Sequence, residues 1–464
     1  MYRAAASTLT ALGCAFAAGL TAPTSASAAT QAVTPTTAPA AVARTPGGNY
    51  HLATPTRVVD TRSGQGAPLG TVDQGEVVKV KVTGVAGIPT TGVQAVVVNI
   101  GAVSAKSSGW LVAYPSGQAR PATSTLNYRT GWTGSATATV PVGSDGTITL
   151  TVGAGSTDVL VDAVGWYSSA TSTQTGGSLL DPQDPYRLED TRSNGGAIPA
   201  GGTKVEQFGF YDSAGSRLKA IAANVTAVAG STTAGYLTTW SGSGTRPIVS
   251  TLQYARGEVS PNTTNIPVTY LGADAFGNSR YSFALTATGS GAVNVIVDVL
   301  GYYTTAADGV GTVYVPMAPQ RVADTRTGLG VAKGKRGTNS TAQLLMPTAL
   351  VTTARTKAFV GNLTGTGATK STYQTIWSGT APTDSSTTNI APGRDRANGS
   401  IVLTPKSDDG ARLRYSVFNR DASADFVVDM TGRFDTSPDQ PAGASSSKRI
   451  VSHQSYLMPA AKGR

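Results

Sequence analysis

The sequence predicts an all-β protein of three tandem β-sandwich, jelly-roll-like domains joined by Thr/Ser/Gly linkers. Three observations carry this. A six-residue motif occurs three times, and a second motif closes each copy. Within a copy, apolar residues alternate with a period of two, the repeat of a half-buried strand. Only 13% of the 464 residues are charged while 55 are glycine, too few long charged side chains and strong helix formers for coiled coils or helical bundles. A hydrophobic content of 40% is enough for a core and argues against a disordered chain.

The opening motif is Arg57-Val58-Val59-Asp60-Thr61-Arg62, then Arg187-Leu188-Glu189-Asp190-Thr191-Arg192, then Arg321-Val322-Ala323-Asp324-Thr325-Arg326. The closing motif is Val161-Asp162-Ala163-Val164-Gly165-Trp166-Tyr167, then Val297 to Tyr303 around Asp298, then Val428 to Phe434 around Asp429. Between them, in fixed order, come an Asn ending an apolar run (Asn99, Asn224, Asn362), an aromatic pair, and a Ser/Thr cluster leading to Asn127, Gln253 or Asn389. Segments such as Val78-Lys79-Val80-Lys81-Val82 alternate as strands should, and Asp145-Gly146 marks a hairpin turn. Each copy is long enough for its own core, so self-contained modules are the expectation and a fused threefold assembly the alternative.

The markers divide the chain into a signal peptide (1–28), a Thr/Ala/Pro-rich leader (29–49), β repeats at 50–168, 178–304 and 313–435, and a flexible tail (436–464). Arg3, the apolar stretch Ala4 to Leu20 and Ala26-Ser27-Ala28 form the charged, apolar and small-residue parts of a secretory signal. The expected location is therefore secreted or extracellular, with cell-wall association an option, and no membrane span is expected. The lone cysteine, Cys14, falls inside that signal, so the mature chain is expected to have no disulfide and no thiolate ligand. The net charge of +10 favours anionic surfaces. Its basic residues are scattered, and the densest run, Lys333 to Arg336, is short, so no nucleic-acid partner is expected.

The polar residues of the motifs are read first as structure. On a strand, Asp60 and Arg62 share one face and Thr61 takes the other. Asp162, Asp298 and Asp429 interrupt apolar strands, and a buried carboxylate needs a partner. The expected ion pairs are Arg62 with Asp162, Arg192 with Asp298, and Arg326 with Asp429, supported by Asp60, Asp190 and Asp324. The alternative is a polar site for sugar hydroxyls or an anion.

The aromatic pairs are Trp110 with Tyr114, Tyr236 with Trp240, and Tyr373 with Trp377. At i, i+4 both rings lie on one strand face, as core packing or as a ligand-contact platform for sugar rings. The exchange of Trp and Tyr between copies favours packing. Catalysis is not expected. His51 and His453 are the only histidines and neither is repeated, and the motif aspartates sit beside arginines that lower their pKa. Neither a phosphate-cradling loop nor a calcium loop occurs, so no catalytic residue, metal site or cofactor is expected.

At the Asp-Thr-Arg and Val-Asp-x-x-Gly-aromatic markers the chain resembles the DTR-type β-rich repeat domains of secreted and cell-wall-associated proteins of actinobacteria. The likeness spans about residues 50–435, and is sharpest at Pro55 to Arg62, Val96 to Asn99 and Ser124 to Asn127. In the third copy Thr387-Thr388 breaks the Ser-Thr-Leu-Asn pattern and Arg433 replaces an aromatic. The resemblance implies an extracellular accessory or adhesive role without an established activity. The expected function is non-enzymatic binding of cell-wall or extracellular polysaccharide, with three modules adding through multivalency. A self-associating subunit of a sheath, filament or particle is the alternative, and an unrecognised hydrolase the third.

Overall fold

The structure is a computed structural model, and it describes residues 47–213, 215, 217–305, 309–379, 384–440 and 447–458. The expected signal peptide and all but the last three residues of the leader lie outside the described residues. The described residues form 25 strands and no helix. The first copy holds β1 (Tyr50–Asp60), β2 (Val72–Asp73), β3 (Val77–Lys81), β4 (Val93–Pro115), β5 (Leu126–Tyr128), β6 (Gly134–Pro141) and β7 (Thr147–Ser168). The second holds β8 (Leu179–Asp190), β9 (Thr203–Asp212), β10 (Leu218–Ala229), β11 (Gly235–Trp240), β12 (Leu252–Tyr254), β13 (Val259–Pro267), β14 (Thr269–Ala273), β15 (Ser279–Gly289) and β16 (Val293–Thr304). The third holds β17 (Thr312–Asp324), β18 (Ser340–Leu345), β19 (Thr356–Thr366), β20 (Thr372–Trp377), β21 (Thr388–Ile390), β22 (Arg396–Leu403), β23 (Arg414–Asn419) and β24 (Asp425–Thr436). A last strand, β25 (Lys448–Met458), follows.

Every copy has the same plan. The opening-motif strand pairs antiparallel with the closing-motif strand, β1 with β7, β8 with β16 and β17 with β24. The closing strand then pairs with the Asn-bearing strand, β4, β10 or β19. In the first copy β4 and β7 run unbroken through register shifts near Ser107, so one seven-stranded sheet serves both layers. In the other copies the equivalent strands split, as β10 and β11 do, and two sheets result. Val225 and Val297 from one sheet meet Phe208, Leu237 and Phe283 from the other in the core of the second copy. Burial follows the alternation of the sequence: Val78 and Val80 are buried while Val77, Lys79 and Lys81 are exposed.

The expectation of self-contained modules on flexible linkers is corrected in three respects. Besides one core per copy, a further core is shared by all three, built from Tyr50, Val97 and Tyr167, from Leu180, Ala222 and Tyr303, and from Tyr314, Ile401 and Phe434. Strands β8 and β17 join, so one sheet of the second copy and one of the third form a single eight-stranded sheet. The first linker is also tied down: the backbone N–H of Ser169 donates to the Gly92 carbonyl at 2.8 Å.

The expected flexible tail is corrected as well. Residues 448–458 pair antiparallel with β9 along ten register positions. Edge strands leave a row of free backbone groups, and β25 satisfies those of β9.

Candidate functional site

The opening motif starts on a strand and ends in a turn, and that placement decides its ion pairs. Arg57 stands directly across from Asp162, Arg187 from Asp298, and Arg321 from Asp429. Arg57 donates from Nε and Nη2 to the two oxygens of Asp162 at 2.7 and 3.1 Å, and Arg321 does the same to Asp429 at 2.8 and 3.3 Å. Arg187 Nε donates to Asp298 at 2.6 Å, while its Nη2 reaches the Asp384 carbonyl of the third copy at 2.8 Å. The expected pairs of Arg62, Arg192 and Arg326 with these aspartates are therefore wrong. Those arginines lie past the strand end, where the turn folds each back onto its own motif aspartate. Arg62 donates to Asp60 at 2.9 and 2.7 Å, and Arg192–Asp190 and Arg326–Asp324 repeat the geometry.

The two sets of aspartates differ electrostatically. Hydrogen bonds from the following arginine hold Asp60, Asp190 and Asp324 below the usual carboxylate range. Burial pushes Asp162, Asp298 and Asp429 up, against the opposing pull of Arg57, Arg187 and Arg321. The central threonine, the first residue past each strand end, turns inward. Thr61, Thr191 and Thr325 are buried, and their hydroxyls accept the backbone N–H of Val159, Val295 and Phe426 at 3.0, 2.8 and 3.1 Å.

The motif asparagines, given no role by the sequence, close a ring between copies. Asn99 donates to the Ser250 carbonyl at 2.8 Å, Asn224 to that of Ser386 at 2.6 Å, and Asn362 to that of Ser124 at 2.7 Å. First grips second, second grips third, third grips first, so the copies are arranged in threefold cyclic fashion. Asn262 and Asn398 add a rung at two of the joints, donating to Asn99 and Asn224 at 3.1 and 2.9 Å. The closing aromatics converge on the same axis: the hydroxyls of Tyr167 and Tyr303 lie 2.6 Å apart, and Phe434 meets Tyr167 edge-on. The motif glycines make room for this. A Cβ on Gly165 would sit 2.4 Å from the Tyr50 hydroxyl, and one on Gly432 2.3 Å from the Tyr314 ring.

Where the copies meet lies a cavity of about 540 Å³. Glu258 of the second copy anchors it. It accepts hydrogen bonds from Arg129 of the first copy at 2.5 Å, Arg394 of the third at 2.7 Å, and Trp132 at 3.2 Å. An ion-pair cluster thus crosses all three copies, which the expectation of clasps internal to each copy did not include. Arg396 stacks over the Trp132 ring at 5.2 Å.

The predicted aromatics divide at this cavity. Trp110 and Tyr373 line it, each directly across its strand pair from an amide, Asn127 and Asn389. Tyr236 stands across from Gln253 in the same way but does not line the cavity. The second members turn to structure. Tyr114 is buried, its hydroxyl 3.0 Å from that of Thr151. Trp240 donates to Thr286 at 3.2 Å, and Trp377 is buried edge-on against Phe418. A register shift between Trp110 and Leu111 separates the surroundings of Trp110 from those of Tyr114. In the third copy Tyr373 and Trp377 both rest on Phe418, as residues on one face should.

Three guanidiniums and three carboxylates line the cavity, which therefore has no strong preference for a charged ligand. Its aromatic faces and amides suit a ligand with C–H faces and hydroxyl groups.

No family model and no curated protein matches the chain. Among solved structures, one reported as "The Triple Jelly Roll Fold and Turret Assembly in an Archaeal Virus" aligns with 84% of this chain and 90% of its own, at 9% identity and a TM-score of 0.17. At that score the two do not superpose as wholes. The class of the protein thus rests on its own strands: all-β, with repeated sandwich-like copies.

Proposed function

We propose that this is a secreted, non-enzymatic protein that binds cell-wall or extracellular polysaccharide. The observation that carries the reading is the cavity between the copies, where Trp110 with Asn127 and Tyr373 with Asn389 present an aromatic face beside an amide. Aromatic faces pack on the C–H faces of sugar rings, and amides both donate to and accept from hydroxyls. The signal-like N-terminus and the resemblance to DTR-type repeats support an extracellular setting and an adhesive role. A glycan array probed with the full chain tests this. Saturable binding that Trp110→Ala or Tyr373→Ala removes supports it, and binding unaffected by both overturns the assignment to this cavity.

A second reading, a self-associating subunit of an extracellular assembly, is favoured by the outer edge. Strand β25 ends its sheet and exposes Val451, Tyr456, Leu457 and Met458. Light scattering at micromolar concentration separates the two, because growth of large particles without glycan binding supports assembly.

A further inference from the structure

The second copy carries charge where the other two carry apolar core. Glu189 takes the place in the opening motif held by Val59 and Ala323, both fully buried. Lys204 lies opposite Leu285 and Glu206 opposite Phe283. The matching pairs are Val78–Leu150 and Val80–Ile148 in the first copy, and Ala342–Val417 and Leu344–Tyr415 in the third. Charged groups do not enter a sandwich core without a partner. The second copy alone also receives the C-terminal strand among the described residues, and β25 brings His453 onto this cluster.

We propose that Glu189, Glu206 and His453 form a binding site for a divalent transition-metal cation of the zinc class, which fastens the C-terminal strand to the second copy. One donor atom from each lies within 4.8 Å of the others. His453 Nε2 is 2.7 Å from Glu206 Oε2 and 3.8 Å from Glu189 Oε2. An imidazole with two carboxylates is a donor set that zinc accepts, with bonds of about 2.0–2.2 Å.

The independent sign of a ligand is in the carboxylates themselves. Both are fully buried, yet Oε1 of Glu189 and Oε1 of Glu206 accept no hydrogen bond. The Lys204 ammonium stands 3.9 Å from Glu189, outside hydrogen-bond reach. A proton on His453 would serve the Glu206 oxygen beside it and leave the others as they are. A cation between the three donors binds both carboxylates at once. The buried charge then explains itself: two carboxylates exceed the one ammonium beside them, and a dication reverses that excess.

The test uses the full chain after dialysis against chelator, titrated with zinc, manganese or calcium chloride. Calorimetry and elemental analysis should find about one tightly held zinc per chain, with calcium far weaker. Saturating zinc should raise the midpoint of thermal unfolding by roughly 2 °C or more and slow amide exchange along residues 448–458. His453→Ala, on an edge strand where folding is spared, should abolish the uptake, the shift and the slowing. His51→Ala should leave all three. Zinc uptake that survives His453→Ala, or no stoichiometric uptake by the parent chain, overturns the proposal. If Glu206→Gln fails to fold, the His453 variant still decides.

Discussion

The side-chain amide of Asn99 donates to the backbone carbonyl of Ser250, 151 residues further along the chain, across 2.8 Å. Asn224 and Asn362 repeat the contact around the axis, so each copy is held by the one before it. Asn99→Ala leaves a buried carbonyl without its donor, a loss of about 1–3 kcal/mol. Denaturant unfolding of Asn99→Ala, Asn224→Ala and Asn362→Ala checks this. If the contacts bear load as a ring, all three fall in that range. Variants within a few tenths of a kcal/mol of the parent would show the joints to be incidental.

The two arginines of each opening motif should behave very differently. Arg57 neutralises a carboxylate that is 2% exposed, whereas Arg62 is 45% exposed and pairs locally. Arg57→Met strands the buried charge of Asp162 and should cost about 3–5 kcal/mol. Arg62→Met should cost at most about 1 kcal/mol. The same order is expected for Arg187 against Arg192 and Arg321 against Arg326. Unfolding curves that reverse the order would restore the pairing expected from the sequence.

The glycine of the closing motif is a packing device. An added methyl on Gly165 meets the Tyr50 hydroxyl at 2.4 Å inside the shared core. Gly165→Ala should destabilise by about 1–3 kcal/mol through overpacking. Gly117→Ala, where an added Cβ meets nothing within 4 Å but φ is +84°, costs backbone strain alone. A double variant Gly165→Ala/Tyr50→Phe should recover part of the loss, because the hydroxyl is the nearest obstacle. No recovery would show that the Tyr50 ring carbons, at 2.6 and 2.8 Å from the added methyl, carry the clash instead.

His51 stacks on Trp166 with ring centroids 4.1 Å apart, and burial lowers its pKa from 6.5 to about 4. The unfolded chain therefore binds a proton between about pH 6.5 and pH 4 that the folded chain refuses. The contribution of His51 is fully present above pH 6.5 and is lost as pH falls toward 4. Because His51 is only partly buried, solvent screening limits the effect to about 1–2 kcal/mol. The difference in stability between the parent chain and His51→Phe should change across that window and flatten above it. A constant difference would remove the titration from the account.

The strands and the three copies were legible in the sequence because period-two alternation and repeated strings are local properties. The burial of Asp162, Asp298 and Asp429 was legible too, since a carboxylate inside an apolar run has few places to go. Which arginine meets each aspartate was not. It depends on where the strand ends: Arg57 is still in the ladder and Arg62 has left it. The joints were hidden for a different reason. Asn99 and Ser250 are far apart in sequence, and nothing local says that one copy's asparagine seeks another copy's carbonyl. Glu189, Lys204 and Glu206 did leave a trace, as charges replacing apolar residues within an internal alignment. Their convergence with His453 needed the path of β25.

The central claim is that the three copies unfold as one body because they share a core and a ring of hydrogen bonds. Differential scanning calorimetry of the full chain tests it most directly. One transition, with calorimetric and van't Hoff enthalpies equal, is predicted. Three separable transitions, or a van't Hoff enthalpy near one third of the calorimetric value, would show independent modules and contradict the account.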